Sequence, residues 1–172
     1  KDLADLTAAS IYADTADSQE RHSMVLGRNE DAERLEREVY DIADGVLAKR
    51  PGDIRSMKNR ALAANLLGDI SMDRHDLETA MRYAERSEQA GEGLVRFNPS
   101  DLTSWEHWIR GRDQISDILF EQGHVSSAID KRRATAALAK DERLRDGPGG
   151  IFEDTYYNLA SLEAESGQRA PA

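Results

Sequence analysis

Cysteine is absent from this chain, and with it go disulfides, thiolate catalysis and cysteine-ligated zinc or iron–sulfur sites. A chain without cysteine suits a reducing or an oxidising compartment equally; a cytoplasmic setting is expected, with the periplasm left open. No segment approaches the ~18 consecutive apolar residues of a membrane span, and no signal-peptide pattern is present, so no membrane insertion is expected. Aromatic residues make up only 6% of the chain, and alanine carries much of its apolar content. That profile suits closely packed helices with solvated outer faces. Positive charge is in short supply, with 23 Lys and Arg against 33 Asp and Glu. The net charge of −10 makes nucleic acid and anionic lipid poor partners and favours a basic peptide or protein patch.

Several chemistries lack their signatures. There is no G-x-S-x-G nucleophile elbow, and the glycine-rich stretch DGPGG at 146–150 lacks the Lys-Ser/Thr of a phosphate-binding loop, so it reads as a linker. Glu121 and His124 have the i, i+3 spacing of a di-iron helical bundle, but such a site needs a second pair and two more carboxylates. His22, His75 and His107 are far apart among charged neighbours and read as surface residues. Neither catalysis, nor a cofactor, nor a metal is expected.

What the chain does have is a repeat. Pro51 in RPGD is followed 48 residues later by Pro99 in NPSD, and Pro148 follows 49 residues after that. Gly27, His75 and Gly123 are also spaced by 48, as are Ala80 and Ala128, and Asp69-Ile70 and Asp117-Ile118. The marks fall where helical hairpins need them. Proline fits a first helical turn, Asp53 and Asp101 suit the helix N-terminus, and glycine suits a C-terminus with positive φ. Between marks the apolar spacing is helical, as in Ile54, Met57, Ala61, Ala64, Leu67 and again in Leu102, Trp105, Ile109, Leu119. Seven helices are expected, at roughly 2–25, 29–49, 52–73, 76–97, 100–122, 125–145 and 152–166, with short linkers that make neighbours antiparallel. Ala32, Ala80 and Ala128 sit one turn into the return helices, where two backbones must approach closely. Trp105 reads as core, and Trp108 as either core or surface groove.

This pattern resembles the tetratricopeptide repeat. Leu67-Gly68 with Ala80 and Ala84, then Ile115-Ser116, Leu119, Gly123 and Ala128, match its large and small positions, and Tyr156, Leu159-Ala160 and Gly167 match a further first helix. The period is 48 instead of 34, and the excess is about two turns per helix, which lengthens each helix without rotating its buried face. Arg132 stands where a large apolar residue is usual, and His75 replaces the turn glycine. The resemblance implies an all-α fold, a right-handed solenoid of stacked antiparallel hairpins. The whole of 1–172 would form one domain with repeats at about 2–49, 50–97 and 98–145 and a partial repeat at 146–167, as a fragment of a longer protein. It also implies a protein–protein interaction scaffold, of the kind appended to bacterial signalling or regulatory proteins.

Carried onto this chain, the family's peptide groove takes Leu62, Asn65, Asp69, Met72 and Asp73 from one hairpin. The next supplies Arg110, Asp113, Asp117, Phe120 and Glu121, and the last Asp154, Tyr157 and Glu165. Asp113, Asp117 and Glu121 are four apart and stack on one helix face, so a row of like charge invites a counter-charge from a basic ligand. The alternatives are a solvated face, a homo-oligomerisation module closed through Tyr156, Leu159 and Leu162 of the C-terminal helix, and a small-ligand-binding helical bundle.

Overall fold

A computed structural model describes residues 29–141, 144 and 152–167. Within them the chain forms α1 (Asn29–Lys49), α2 (Ile54–Asp73), α3 (Leu77–Phe97), α4 (Leu102–Glu121), α5 (Val125–Ala136), a 3-10 turn (Ala137–Lys140) and α6 (Glu153–Glu165). No strand is present among the described residues. The helix expected over 2–25, and Gly27 of the repeat, lie outside them.

Local chemistry sets the helix ends. The Asp53 carboxylate caps α2 by accepting from the Ser56 N–H at 3.0 Å, and Asp76 caps α3 through the Thr79 N–H at 3.1 Å. Asp101 precedes α4 and accepts instead from the Ser104 hydroxyl and from Lys58, each at 2.8 Å. Pro51 and Pro99 lie in the turns before these aspartates, not in the first helical turn, because the aspartates occupy the cap itself.

The two turns 48 residues apart share one construction. His75 N–H bonds Met72 O and Asp76 N–H bonds Ser71 O; Gly123 N–H bonds Phe120 O and His124 N–H bonds Leu119 O. These are paired Schellman bonds, with the pivot residue at φ +58° in His75 and +80° in Gly123. The glycine takes this conformation freely, whereas the histidine carries the steric cost of a Cβ there.

Successive helices run antiparallel. Met57 meets Gly93 while Ala61 meets Ser87 across α2–α3, and Val95 meets Trp105 while Ala84 meets Ile115 across α3–α4. Helices two apart run parallel: Lys58 reaches Asp101 and Gln114 reaches Asp69 between α2 and α4, and Lys131 of α5 reaches Glu88 of α3. Ala80 and Ala128 are fully buried at the hairpin contacts, as their spacing suggests; Ala32 is fully buried too, but the helix expected to face it lies outside the described residues. The Ser116 hydroxyl donates to Ala128 O at 2.8 Å, so α4 and α5 touch backbone to side chain at that point. A close backbone approach between α3 and α4 uses Gly91 and Gly111. A Cβ on either would stand 2.5 Å from the opposing backbone, at Trp108 or Glu88.

Two expectations need correction at the C-terminal end. The helix expected over 125–145 stops at Ala136 and tightens into the 3-10 turn, which lets Leu138, Ala139 and Leu144 pack with Val95, Trp105 and Ile109. The apolar face of α6 does not await a second copy along its whole length: Leu162 is buried on Ala128 and Ile129, with Leu159 packed beside it. Tyr156 and Tyr157 do remain exposed.

Candidate functional site: an acidic face across three helices

The acidic positions of α2 and α4 come together, and the centre of the group is an arginine. Arg132, on α5, is completely buried. Its Nη1 lies 3.0 Å from Asp113 Oδ1, and its Nη2 pairs with Asp117 Oδ1. Asp113 Oδ2 also accepts from the Thr155 hydroxyl of α6 at 2.5 Å. One guanidinium thus ties α5 to α4, and one carboxylate ties α4 to α6. A second tie joins α4 to α2, where Gln114 Nε2 donates to Asn65 O at 2.8 Å and to Asp69 Oδ1 at 2.5 Å. Gly68 leaves room for that amide, since a Cβ there would stand 2.7 Å from it.

Crowding raises the carboxyls of this group above their ordinary value. For Asp69 burial is the main cause, with Asp73 and Asp117 adding repulsion and Gln114 and Arg110 opposing it. Burial also dominates at Asp113 and Asp117, outweighing the attraction of Arg132; Asp117 adds repulsion at Asp113, and Glu121 does so at Asp117. The negative charge here is therefore held against a cost that nearby positive charge relieves.

The groove positions inferred from the sequence divide by environment. Asp73, Arg110, Glu121 and Tyr157 are exposed, as is Asp154, while Asp69 is open to solvent as a residue but has its carboxyl covered on one side by Gln114. Leu62 is half-buried; so are Met72, which packs on Ala80 and Ile118, and Phe120, which packs on Ala128 and Leu162. Asn65 is buried, with its carbonyl taken by Gln114. The row of charge does carry a counter-charge at Asp113 and Asp117, and the chain itself supplies it. Gln114 and Thr155 were not among the candidates. Nothing local marks them, because their partners lie 49 and 42 residues away.

Other residues weighed for chemistry have structural settings. Trp105 is buried and donates its Nε1–H to Pro99 O at 2.9 Å. Trp108 is half-buried under the Arg112 guanidinium, 5.4 Å from its ring centre. His107 is not the surface residue its neighbours suggested: burial first, then Arg110 and Lys58, lower its pKa to about 4, so it is neutral at physiological pH. Glu121 is exposed at the end of α4, and His124 sits at the start of α5. No family model matches the chain, and neither does any curated protein sequence.

Proposed function

We propose that this chain is a protein–protein interaction module of the tetratricopeptide-repeat kind, binding without chemistry of its own, and that it takes a basic peptide or protein segment along the faces of α2 and α4. The observation that carries this reading is the charge imbalance at the acidic face. Asp69, Asp73, Asp113, Asp117 and Glu121 share this face with Arg110 and Arg132, and three of the five carboxyls are raised, chiefly by burial. A lysine or arginine arriving beside Asp69, Asp73 and Glu121 lowers that cost, while the half-buried Met72 and Phe120 offer apolar contact next to them. The repeat of 48, the matching Schellman turns and the parallel packing of helices two apart support the repeat-module reading, since stacked hairpins place equivalent helices side by side.

The test begins with a pull-down on the purified chain and mass spectrometry of what is retained. The affinity of the recovered segment, or of a labelled Lys/Arg-containing helical peptide, is then measured across a salt series. Exposed charge pairs are screened over about 8–10 Å near physiological ionic strength, so affinity should fall with salt. Asp69→Asn with Asp73→Asn and Glu121→Gln should weaken binding and flatten the salt dependence without unfolding the chain. Unchanged affinity and salt slope in that variant would reduce this face to a solvated surface.

One observation favours self-association as a second reading: Tyr157 is 75% exposed and Tyr156 50% exposed, side by side on α6. Light scattering over a concentration series, compared with Tyr157→Ser, decides it.

A further inference from the structure

On α1, α2 and α3, away from the acidic face, the chain gathers arginine. Arg37, Arg74, Arg82 and Arg86 line a cavity of about 300 Å³ together with Glu33, Asp76, Thr79 and Tyr83. In a chain of net charge −10 this is a local inversion of sign. The two carboxylates present are already committed. Glu33 accepts from Arg37 at 2.7 Å through one oxygen and pairs with Arg74 through the other. Asp76 caps α3 at the Thr79 N–H. Four guanidinium groups therefore meet two engaged carboxylates in the lining, and the positive surplus of two is reduced by Asp41, which acts on Arg37 from beside it.

The surplus has an address. Among the described residues no carboxylate stands within ion-pair distance of Arg82 or Arg86. Arg82 Nη2 donates to the Thr79 hydroxyl at 2.8 Å. Arg86 is held over the Tyr40 and Tyr83 rings, 5.6 and 5.7 Å from their centres, a stack that holds the guanidinium while leaving N–H groups at its edge. The Tyr83 hydroxyl accepts from Arg37 Nη1 at 3.1 Å, which leaves its own proton to donate. The Thr79 hydroxyl is in the same position relative to Arg82.

We propose that this cavity binds a dianionic phosphoryl group, either inorganic phosphate or a small phosphate monoester. The sign and order of charge suit a phosphoryl group: a phosphate monoester carries about −1.5 to −2 near neutrality, more than a single carboxylate brings to a positive lining. The donors match as well. Guanidinium forks and hydroxyl protons present N–H and O–H to an acceptor-only ligand, and the bidentate fork suits phosphate geometry. The start of α3 at Asp76 and Thr79 adds the positive end of a helix dipole. The volume lies at the small end of ligand sites, room for a phosphoryl group and a few further atoms. The site is independent of the acidic face, and neither reading requires the other.

Calorimetric titration of the whole 172-residue chain with inorganic phosphate, O-phospho-L-serine and acetate at constant ionic strength tests the proposal. At least one phosphorylated ligand should bind ten-fold or more tighter than acetate. Tighter binding of inorganic phosphate identifies the free ion as the ligand, and tighter binding of O-phospho-L-serine identifies a monoester. Arg82→Gln with Arg86→Gln should weaken phosphate binding at least ten-fold with the circular dichroism spectrum unchanged, while Arg96→Gln, in an exposed pair with Glu92, should not. In the unmutated chain, affinity should drop as pH falls through about 6 for the monoester, and at somewhat higher pH for inorganic phosphate, as the dianion takes up a proton. Phosphate and phosphoserine binding no better than acetate would overturn the proposal. So would full affinity in the folded double variant, or affinity indifferent to pH across that range.

Discussion

Replacing Arg132 with methionine removes the one positive charge buried between Asp113 and Asp117. Methionine keeps much of the volume, so the loss is mainly electrostatic. Breaking a buried pair from one side leaves carboxylates without their partner in a site that already disfavours charge, at a cost of about 3–5 kcal/mol. For a chain of this size each kcal/mol moves the melting temperature by about 2–4 °C, so a fall of roughly 6–20 °C is expected at neutral pH. The sign of the pH dependence follows from the same geometry. Asp113 and Asp117 already sit above the ordinary carboxyl value of 3.8 when folded, and without Arg132 they rise further. At these two carboxyls the folded variant then binds more protons than the unfolded chain, so their contribution to stability rises as pH falls below neutrality. The penalty of Arg132→Met should therefore shrink on acidification. Adding Asp113→Asn and Asp117→Asn should recover at least half of it at neutral pH, because no buried charge is then left unpaired. Thermal unfolding followed by far-UV circular dichroism measures all three variants. A cost below about 1 kcal/mol, or a cost equal at pH 5 and at neutrality, would refute the reasoning.

Three further outcomes are expected from thermal unfolding. Ala128→Leu should push α4 and α5 apart at a cost of about 1–3 kcal/mol, while Ser127→Leu, one residue back and exposed, should cost far less; equal melting temperatures would contradict the hairpin register. Gly111→Ala should destabilise by a similar amount or more, even though alanine is the better helix former, because the new Cβ would meet the Glu88 backbone at 2.5 Å; a stabilised variant would show that the α3–α4 approach is looser. His107 is held neutral when folded, with a pKa of about 4 against 6.5 in the unfolded chain, so it contributes stability at neutral pH that is lost as pH falls from about 6.5 to 4. His107→Gln should remove that part of the acid loss, and a variant whose stability changes with pH in parallel with the original chain would contradict the assignment.

The parts of the fold that rest on backbone geometry were legible in the sequence. A left-handed pivot leaves a mark at His75 and at Gly123, a hairpin contact leaves alanine at 80 and 128, and an N-cap leaves Asp53. The pivots and the cap are fixed by neighbours within a turn, and the alanines recur at the repeat period, so spacing suffices to find them. The site was legible only as a list of faces. Asp69, Asp113 and Asp117 do gather, but periodicity could not show that Arg132 comes between two of them, because its place in the pattern is that of an apolar residue. The α3–α4 approach at Gly91 and Gly111 was missed for a related reason. A glycine inside a helix reads as a weak spot until the opposing backbone is known. The early end of α5 at Ala136 likewise depends on distant side chains, Val95, Trp105 and Ile109, that receive Leu138.

The carboxylates of the acidic face therefore divide into two groups with separate consequences. Asp113 and Asp117 hold α5 and α6 against α4 through Arg132 and Thr155, so substituting them changes stability before it can report on binding. A lysine at either position would stand against a fully buried guanidinium, and weakened binding in such a variant would carry no information about the face. Asp73 and Glu121 are exposed and hold no helix in place, and Asp69 contributes one hydrogen bond to a glutamine that also bonds the Asn65 carbonyl. Only this outer group can exchange water for a partner's cation without weakening the fold. Of the inner pair, Asp117 still acts on the outer group, adding to the rise at Asp69 behind burial and Asp73. A cation delivered beside Asp69 would relieve that repulsion while displacing none of the cluster's internal bonds.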